Sequence, residues 1–419
     1  MGVRSSQIEV LVIGGGMAGW AAARAAKAAG AEVMVVRKGY AATAMAPGAA
    51  DFPDGYKYED MEQQWLRDLA QVGVELVAVG EGRKWHVIDI WGQVHLADFV
   101  SSSSQGASLE ELGKAKLVGL VELEGYADFH SWVVAEALRS QLRGSGELPE
   151  IKALGIVVPG LDSKASLTAA EIAQVLEEKD RAYALAQRVV QALGDHAFKD
   201  GAVTLLFPPV LGLRREREIQ ATIQQVTGAR VAELLATLPS IPGFRWQQAL
   251  DMQLGREGIP VISGEVEALL PSDGNQGTLS GAWVQVEGRL EQVQFQAAVL
   301  ATGGLVGGGL GGSDQALLEP LASLPVFMGS QRVDGKPLRQ LIQEGTHDQQ
   351  ALWRAGVRVD GFCRPVGEGR KPVYRNLFAA GALVQGAGLS DGGLGAAYVT
   401  GTWAGQEAAR VVGGGKGDE

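Results

Sequence analysis

Residues 8–38 read IEVLVIGGGMAGWAAARAAKAAGAEVMVVRK, and the fold turns on how they are interpreted. IEVLVI (8–13) is short, apolar and rich in β-branched side chains, the pattern of a buried parallel strand. Residues 17–29 are alanine-rich and predict a helix, which Gly30 ends. AEVMVV (31–36) predicts a second strand. Between strand and helix, Gly14, Gly16 and Gly19 form G-x-G-x-x-G. The first glycine permits the tight turn, the second lets a phosphate approach the backbone, and the third lets the helix pack on the strand. The helix N-terminus then offers unpaired N–H groups and a positive dipole to an anion. In this strand–turn–helix–strand setting the spacing predicts a nucleotide site rather than a glycine-rich structural turn.

One position departs from the fingerprint. An acid at the end of the second strand ordinarily accepts hydrogen bonds from the ribose hydroxyls. Here Arg37 stands 23 residues after Gly14. A guanidinium cannot accept, although it pairs well with phosphate. Its blander reading is a solvated residue at a strand end. Glu32 lies at the start of that strand, the wrong end. The usual adenosine grip is therefore expected to be missing or rebuilt.

The chain has 419 residues, 46% hydrophobic and 20% charged, enough for two or three domains. Its 59 glycines are about twice the usual share of roughly 7%, and they cluster without a period, as backbone close to a ligand would. A net charge of −11 with no basic stripe argues against nucleic acid as a partner. The single cysteine, Cys363, excludes a disulfide framework and a self-contained iron–sulfur cluster. No signal-peptide pattern opens the sequence, and a cytoplasmic setting is expected. Residues 376–401 carry only one charge, Asp391, but seven glycines interrupt them, so they do not read as a membrane span.

Along the chain, the polar stretch 54–68 precedes mixed strands such as VELVAVG and KWHVIDIWG. SSSSQGAS (101–108) reads as a loop and a domain boundary. KLVGLVEL is a strand, DFHSWVVAEALRSQL a helix, and LPEIKALGIVVPG a strand again. Residues 168–193 predict one long helical stretch. GAVTLLFPPVLGL is an apolar strand, and REIQATIQQVTG and RVAELLATL predict two helices. The expected division is a nucleotide-binding domain over 1–110 and 245–419 with an inserted α/β domain over 115–240. The fold class is α/β, Rossmann-like. From 246 onward come a helix, a strand and an antiparallel hairpin that leads into a buried strand, VLATGG (299–304).

Two further glycine blocks favour a flavin over NADPH. VLATGG ends a strand in Thr302, Gly303 and Gly304, and GGLVGGGLGG (303–312) follows, with seven glycines in ten residues. NLFAAGAL (376–383) precedes DGGLGAA (391–397), which opens a helix from about 394 to 411. Such a helix start directs a positive dipole at an electron-rich flavin edge. The small residues of TAMAPGAADF (43–52) would let backbone approach the ring. No histidine precedes His86, so a flavin tethered to a histidine in this loop is excluded. The expected cofactor contacts are Gly14, Gly16, Met17, Ala18, Gly19, Arg37, Lys38, Ala46, Pro47, Gly48, Val266, Thr302, Gly303, Gly381, Ala382, Gly393, Leu394, Gly395 and Ala396. Catalytic candidates are few. The five histidines, His86, His95, His130, His196 and His347, form no metal-spaced pair or nucleophile motif and read mainly as structural or surface groups. Arg214, Arg215 and Arg217 read as a solvated helix start. His130 and Arg245 remain as candidate catalytic residues, and no metal site is expected.

VIGGGMAG (12–19), RKGYAATAMAPGAADF (37–52), LVGLVELEGYADFHSWVVAEALR (117–139), FPPVLGL (207–213), ATLPSIPGFR (236–245) and NLFAAGAL (376–383) together resemble the family of B-type subunits of anaerobic glycerol-3-phosphate dehydrogenase. That family lies among flavoproteins of the fumarate reductase type. The resemblance covers most of the chain and is weakest over 54–110. It agrees with a basic residue at position 37. It implies a membrane-associated complex in which a catalytic FAD subunit oxidises glycerol 3-phosphate and an iron–sulfur subunit passes electrons toward quinone. The B-type chain is a flavin carrier usually assigned FMN, at the inner face of the cell membrane and touching it only through partners. The glycine spacing favours FAD, with FMN the alternative. Two rival readings are a stand-alone flavin oxidoreductase of a small hydroxy acid or polyol, and a scaffold without flavin.

Overall fold

The strand Arg289–Leu300 organises the first part of the molecule. Along one edge it pairs in parallel with Ser5–Ile13, in register from Ser5 opposite Gln292 to Ile13 opposite Leu300. Along its other edge it pairs first with its antiparallel hairpin partner Leu279–Val286, then in parallel with Leu377–Ala379. Val33–Arg37 extends the sheet beyond Ser5–Ile13, and Val261–Ser263 extends it further. The seven-stranded sheet is completed by Glu265–Pro271 on the far side of the hairpin. The central strands are apolar on both faces, as a covered parallel sheet requires: Val10, Leu11, Val12 and Ala297–Leu300 are wholly buried. The computed structural model describes residues 5–54, 58–80, 83–143, 149–162, 166–194, 203–274, 277–312, 316–342, 344, 350–387 and 393–414.

Two helices pack closely against each other. Met17–Ala28 follows the glycine loop, and Gly393–Gly414 closes the described chain. Their approach depends on glycine. A Cβ at Gly401 would lie 2.3 Å from the Ala18 carbonyl oxygen, and one at Gly405 2.2 Å from that of Ala22. A small buried network joins the same helices. Arg24 lies over the Trp20 ring and pairs with Asp68 (3.1 Å) and Glu257 (2.9 Å), and the Tyr398 hydroxyl donates to Asp68 at 2.7 Å.

The chain forms two compact units, Met1–Thr43 with Asp51–Val72 and Gln247–Glu419, and Ala44–Ala50 with Gly73–Trp246. The second unit holds a four-stranded parallel sheet in the order Arg230–Glu233, Val203–Phe207, Leu117–Leu123, Glu150–Ile156. The fold is α/β and Rossmann-like, as expected, with an α/β unit inserted in it. The boundary expected at 110–115 falls at 72–73 instead. Trp85, Val87 and Ile88 share one buried core with Val118, Leu120 and Val121, so 73–110 belongs with the inserted unit. SSSSQGAS is accordingly a turn within that unit, and Ser103, Ser104 and Ser108 are buried.

Three local readings differ. The polar stretch around 54–68 contains the helix Glu59–Gln71, whose acidic first turn suits the helix dipole and which buries Trp65 and Leu69. Residues 168–193 are two helices, Ala169–Leu176 and Lys179–Leu193; the first is opened by a Thr168–Glu171 capping box. RVAELLATL is not a helix. Its first four residues form a strand parallel to Val203–Phe207, and pairing with a buried neighbour outweighs the helical propensity of alanine and leucine.

Candidate cofactor site

Brought into parallel register, the carboxyl ends of the strands finish together at Ile13, Arg37, Leu300 and Ala379. Ligands of open α/β sheets bind outside such ends. A cavity of about 380 Å³ lies there, in the usual range for small-ligand sites. Its walls are segments 13–18, 36–43, 264–266, 301–303, 307–309 and 319–321, with Gly381, Ala382, Ala387, Gly393, Leu394 and Ala397. It runs from the end of the second strand, where an adenosine would be gripped, to the start of the last helix.

The glycine loop is shaped for close approach. Gly14 has φ +117°, and a Cβ there would strike the Ala301 carbonyl oxygen at 2.1 Å. Gly16 is the N-cap of helix Met17–Ala28; it provides no side-chain cap, and no acid lies in the first turn, so the positive helix end is not neutralised from within. The Thr43 hydroxyl accepts from the Met17 amide at 2.9 Å and pins the small-residue loop to that helix start. Thr302, on the opposite wall, has a shielded hydroxyl with no partner in the structure.

At the second-strand end the two cations are each paired. Arg37 Nη2 lies 2.8 Å from Asp251 Oδ2, and Lys38 Nζ 2.5 Å from Glu265 Oε2. The Arg37 stem lies across Gly15, where a Cβ would come within 2.5 Å of its Cδ. Its Nη1 is shielded and has no partner in the structure. Asp251 Oδ1 accepts from Gln247 Nε2 at 2.9 Å, and the same nitrogen donates to the Gly15 carbonyl at 2.8 Å. Burial pushes the Asp251 carboxyl above its ordinary range, against the hydrogen bond from Gln247 and the charge of Arg37. Glu319 is buried in the wall and its pKa is likewise raised by burial, but both its oxygens accept backbone amides of its own loop, from Leu321, Ala322 and Leu324. It serves as a loop clamp.

The arrangement fits a flavin dinucleotide. It supplies a glycine cradle at a helix start, an unpaired hydroxyl and guanidinium nitrogen, and a second helix start at the other end of the cavity. Of the expected contacts, Gly14, Gly16, Met17, Ala18, Arg37, Lys38, Val266, Thr302, Gly303, Gly381, Ala382, Gly393 and Leu394 line the cavity. Gly19, Gly395 and Ala396 do not. A Cβ at Gly19 would sit 1.9 Å from the Gly14 oxygen and one at Gly395 2.3 Å from Phe52, while Ala396 is in the core. These three serve packing. Ala46, Pro47 and Gly48 belong to the second unit, where the Gly48 carbonyl accepts from the Ser101 amide.

The catalytic candidates also lie in the second unit. His130 is exposed, just before the helix Ser131–Gln141. Arg245 is buried and committed to structure: Nη1 and Nη2 donate to Glu233 at 2.6 and 2.9 Å, and Nε to the Gly212 carbonyl at 2.7 Å. His86 pairs with Glu110 and His95 with Asp89. His196 and His347, and Asp391 and Gly392 at the start of DGGLGAA, lie outside the described residues. Reading the sequence missed Thr43, Glu265 and Glu319, whereas the 307–309 wall falls within the glycine block 303–312. Thr43 stood in a segment already singled out for its small residues, and only its hydroxyl went unread. Asp251 carried no signal, because it comes from the helix Ile241–Arg256, which has no motif.

Among known families, the one described as FAD binding domain matches residues 9–78 and 79–395. A protein of Halobacterium salinarum described as the probable B-type subunit of anaerobic glycerol-3-phosphate dehydrogenase is 25% identical, with 96% of this chain and 98% of that one covered. The B-type subunit of the same dehydrogenase from Pasteurella multocida is 23% identical over 94% and 96%. These relatives bear out the resemblance read from the sequence. Among solved structures, 3-ketosteroid Δ1-dehydrogenase from Sterolibacterium denitrificans aligns with a TM-score of 0.44 at 11% identity, covering 97% of this chain and 100% of that one. An open flavocytochrome c3 fumarate reductase aligns at 0.39 and 14%, covering 97% and 79%.

Proposed function

Because the chain belongs to the FAD binding domain family, we propose that it is the flavin-carrying subunit of a dehydrogenase complex of the anaerobic glycerol-3-phosphate type. It is a flavoprotein oxidoreductase chain, and its cofactor is FAD. Bound FAD accepts two electrons and returns them one at a time, which suits a chain between a hydride-removing partner and iron–sulfur clusters. This chain would take electrons from a catalytic FAD subunit and give them to an iron–sulfur subunit. No helix among the described residues is long and apolar enough to cross a membrane, so any attachment at the inner membrane face is assigned to the partners.

The observation that carries this reading is the lining of the cavity. Glycine backbone and helix starts dominate it, and among the described lining residues there is no histidine. Glu319 is held by three amides of its own loop and Glu265 by Lys38, so neither is placed as a free acid–base group. The chain's own residues thus bind and orient. The Gly14–Met17 turn and helix start would hold the pyrophosphate, Arg37 and segment 264–266 the adenosine, and Thr302, Gly303 and the 381–394 walls the remainder. The start of the last helix would favour negative charge on the reduced ring.

The test is an absorption spectrum of the purified full chain, acid release and chromatography of its flavin, and anaerobic addition of glycerol 3-phosphate. The expected result is FAD that is not bleached by glycerol 3-phosphate until the catalytic subunit is added. Bleaching of the isolated chain would establish a stand-alone oxidoreductase. A protein that stays colourless with added FAD or FMN would be a scaffold.

A further inference from the structure

The residue at the end of the second strand, where the fingerprint expects an acid, is a cation, and that cation is paired. Arg37 is held at 2.8 Å by Asp251, and Lys38 beside it at 2.5 Å by Glu265. Each pair sums to zero charge. A subsite built for an additional phosphate would leave its cations in excess, since charge-assisted, bidentate pairing is what makes arginine select phosphate. Asp251 is itself held in place. Its second oxygen accepts from Gln247, a wholly buried side chain whose same nitrogen donates to the Gly15 carbonyl inside the glycine loop. The chain of contacts therefore runs from the phosphate turn, through Gln247 and Asp251, to the guanidinium. Arg37 keeps one shielded nitrogen, Nη1, without a partner in the structure.

We propose that Asp251 is the specificity-determining residue of the adenosine subsite: it neutralises and orients Arg37, so that the guanidinium donates to the oxygens of an unphosphorylated ribose and rejects a 2′-phosphorylated one. The displaced acid of the fingerprint has thus been rebuilt. It now comes from the helix Ile241–Arg256 and sits behind an arginine. The hydrogen-bond polarity is reversed as well: the ribose hydroxyls accept where the usual acid makes them donate. Asp251 is a positioning residue here, and it acts through Arg37. The proposal rests on the FAD reading of the cavity.

The experiment is calorimetric titration of flavin-stripped full-length protein with ADP-ribose, with 2′-phospho-ADP-ribose and with FAD. The native chain is expected to bind ADP-ribose at least about tenfold more tightly than its 2′-phosphate, the discrimination that one unfavourable charge contact supplies. Asp251→Asn is expected to erase or invert that ratio while FAD still binds, and Asp251→Glu to restore it. A merely structural role would lower both affinities together and leave the ratio unchanged. Equal or tighter binding of the 2′-phosphate by the native chain overturns the proposal without any variant, as does an unchanged ratio in Asp251→Asn. Failure of the folded native chain to bind FAD and both probes overturns the FAD reading itself.

Discussion

Two arginine–carboxylate pairs, one in each unit, look alike as contacts and differ in what they leave over. In the second unit Arg245 spends Nη1 and Nη2 on Glu233 and Nε on the Gly212 carbonyl; the arginine is 9% exposed and the glutamate wholly buried. Glu233 Oε1 also accepts the Leu211 amide at 2.8 Å, so the pair fastens the 208–213 turn to its sheet. In the first unit the pair of Arg37 and Asp251 is about one-fifth exposed on each side, uses one arginine nitrogen, and leaves another unpaired beside a cavity. A closed pair stabilises a fold. The other leaves a donor over. Counting donors already spent, rather than noting that an arginine stands near a glycine loop, separates the two.

The largest effect expected from this contrast is on stability. Arg245→Ala would leave Glu233 charged and enclosed, at a cost of about 3–5 kcal/mol by urea unfolding. Removing both partners in Arg245→Ala/Glu233→Ala should recover part of that loss. A loss below about 1 kcal/mol would place the pair with ordinary surface pairs. Arg37→Ala should show the opposite balance: under about 1 kcal/mol in unfolding without flavin, but about tenfold weaker FAD binding in a fluorescence titration, the worth of one charge-assisted hydrogen bond. Equal effects on stability and binding would dissolve the distinction.

The smallest effect is a pH dependence. The folded Asp251 carboxyl holds its proton more tightly than in the unfolded chain, because burial outweighs Gln247 and Arg37. Its contribution to stability is then fully present below the ordinary aspartate range, about 3.9, and is lost as the pH rises through the higher folded value. Unfolding of the native chain compared with Asp251→Asn should show native stability falling relative to the variant as the pH rises over that interval, by under about 1 kcal/mol. A relative rise with pH would mean that the Arg37 charge prevails over desolvation.

The sequence revealed the cavity's backbone and hid most of its side chains. Glycines report directly on chain geometry, so the turn at Gly14–Gly16, the strand end at Thr302–Gly303 and the start of the last helix were all legible as walls. Gly19 and Gly395 were equally legible as glycines, but their missing side chains make room for protein rather than ligand. Asp251 could not be read, since only tertiary packing brings the helix Ile241–Arg256 to the end of the second strand. The strand Arg230–Glu233 was hidden for a related reason: its four residues, Arg-Val-Ala-Glu, run into the helix-favouring Leu234 and Leu235 and take their conformation from the strand beside them.

The close seating of Gly401 and Gly405 on the first helix has a consequence for biosynthesis. The cavity takes walls from residue 13 and from residue 397, and the helix that closes it cannot settle until its glycines meet Ala18 and Ala22. At roughly 5–20 residues per second, the 350 residues separating Thr43 from Gly393 take the ribosome about 20–70 seconds to add. Through that interval the glycine loop exists without its opposite wall, whereas the sheet built from residues 117–233 is already complete in sequence. The inserted unit can therefore fold during translation, while the cavity gains its last wall only once residues 393–397 have been made.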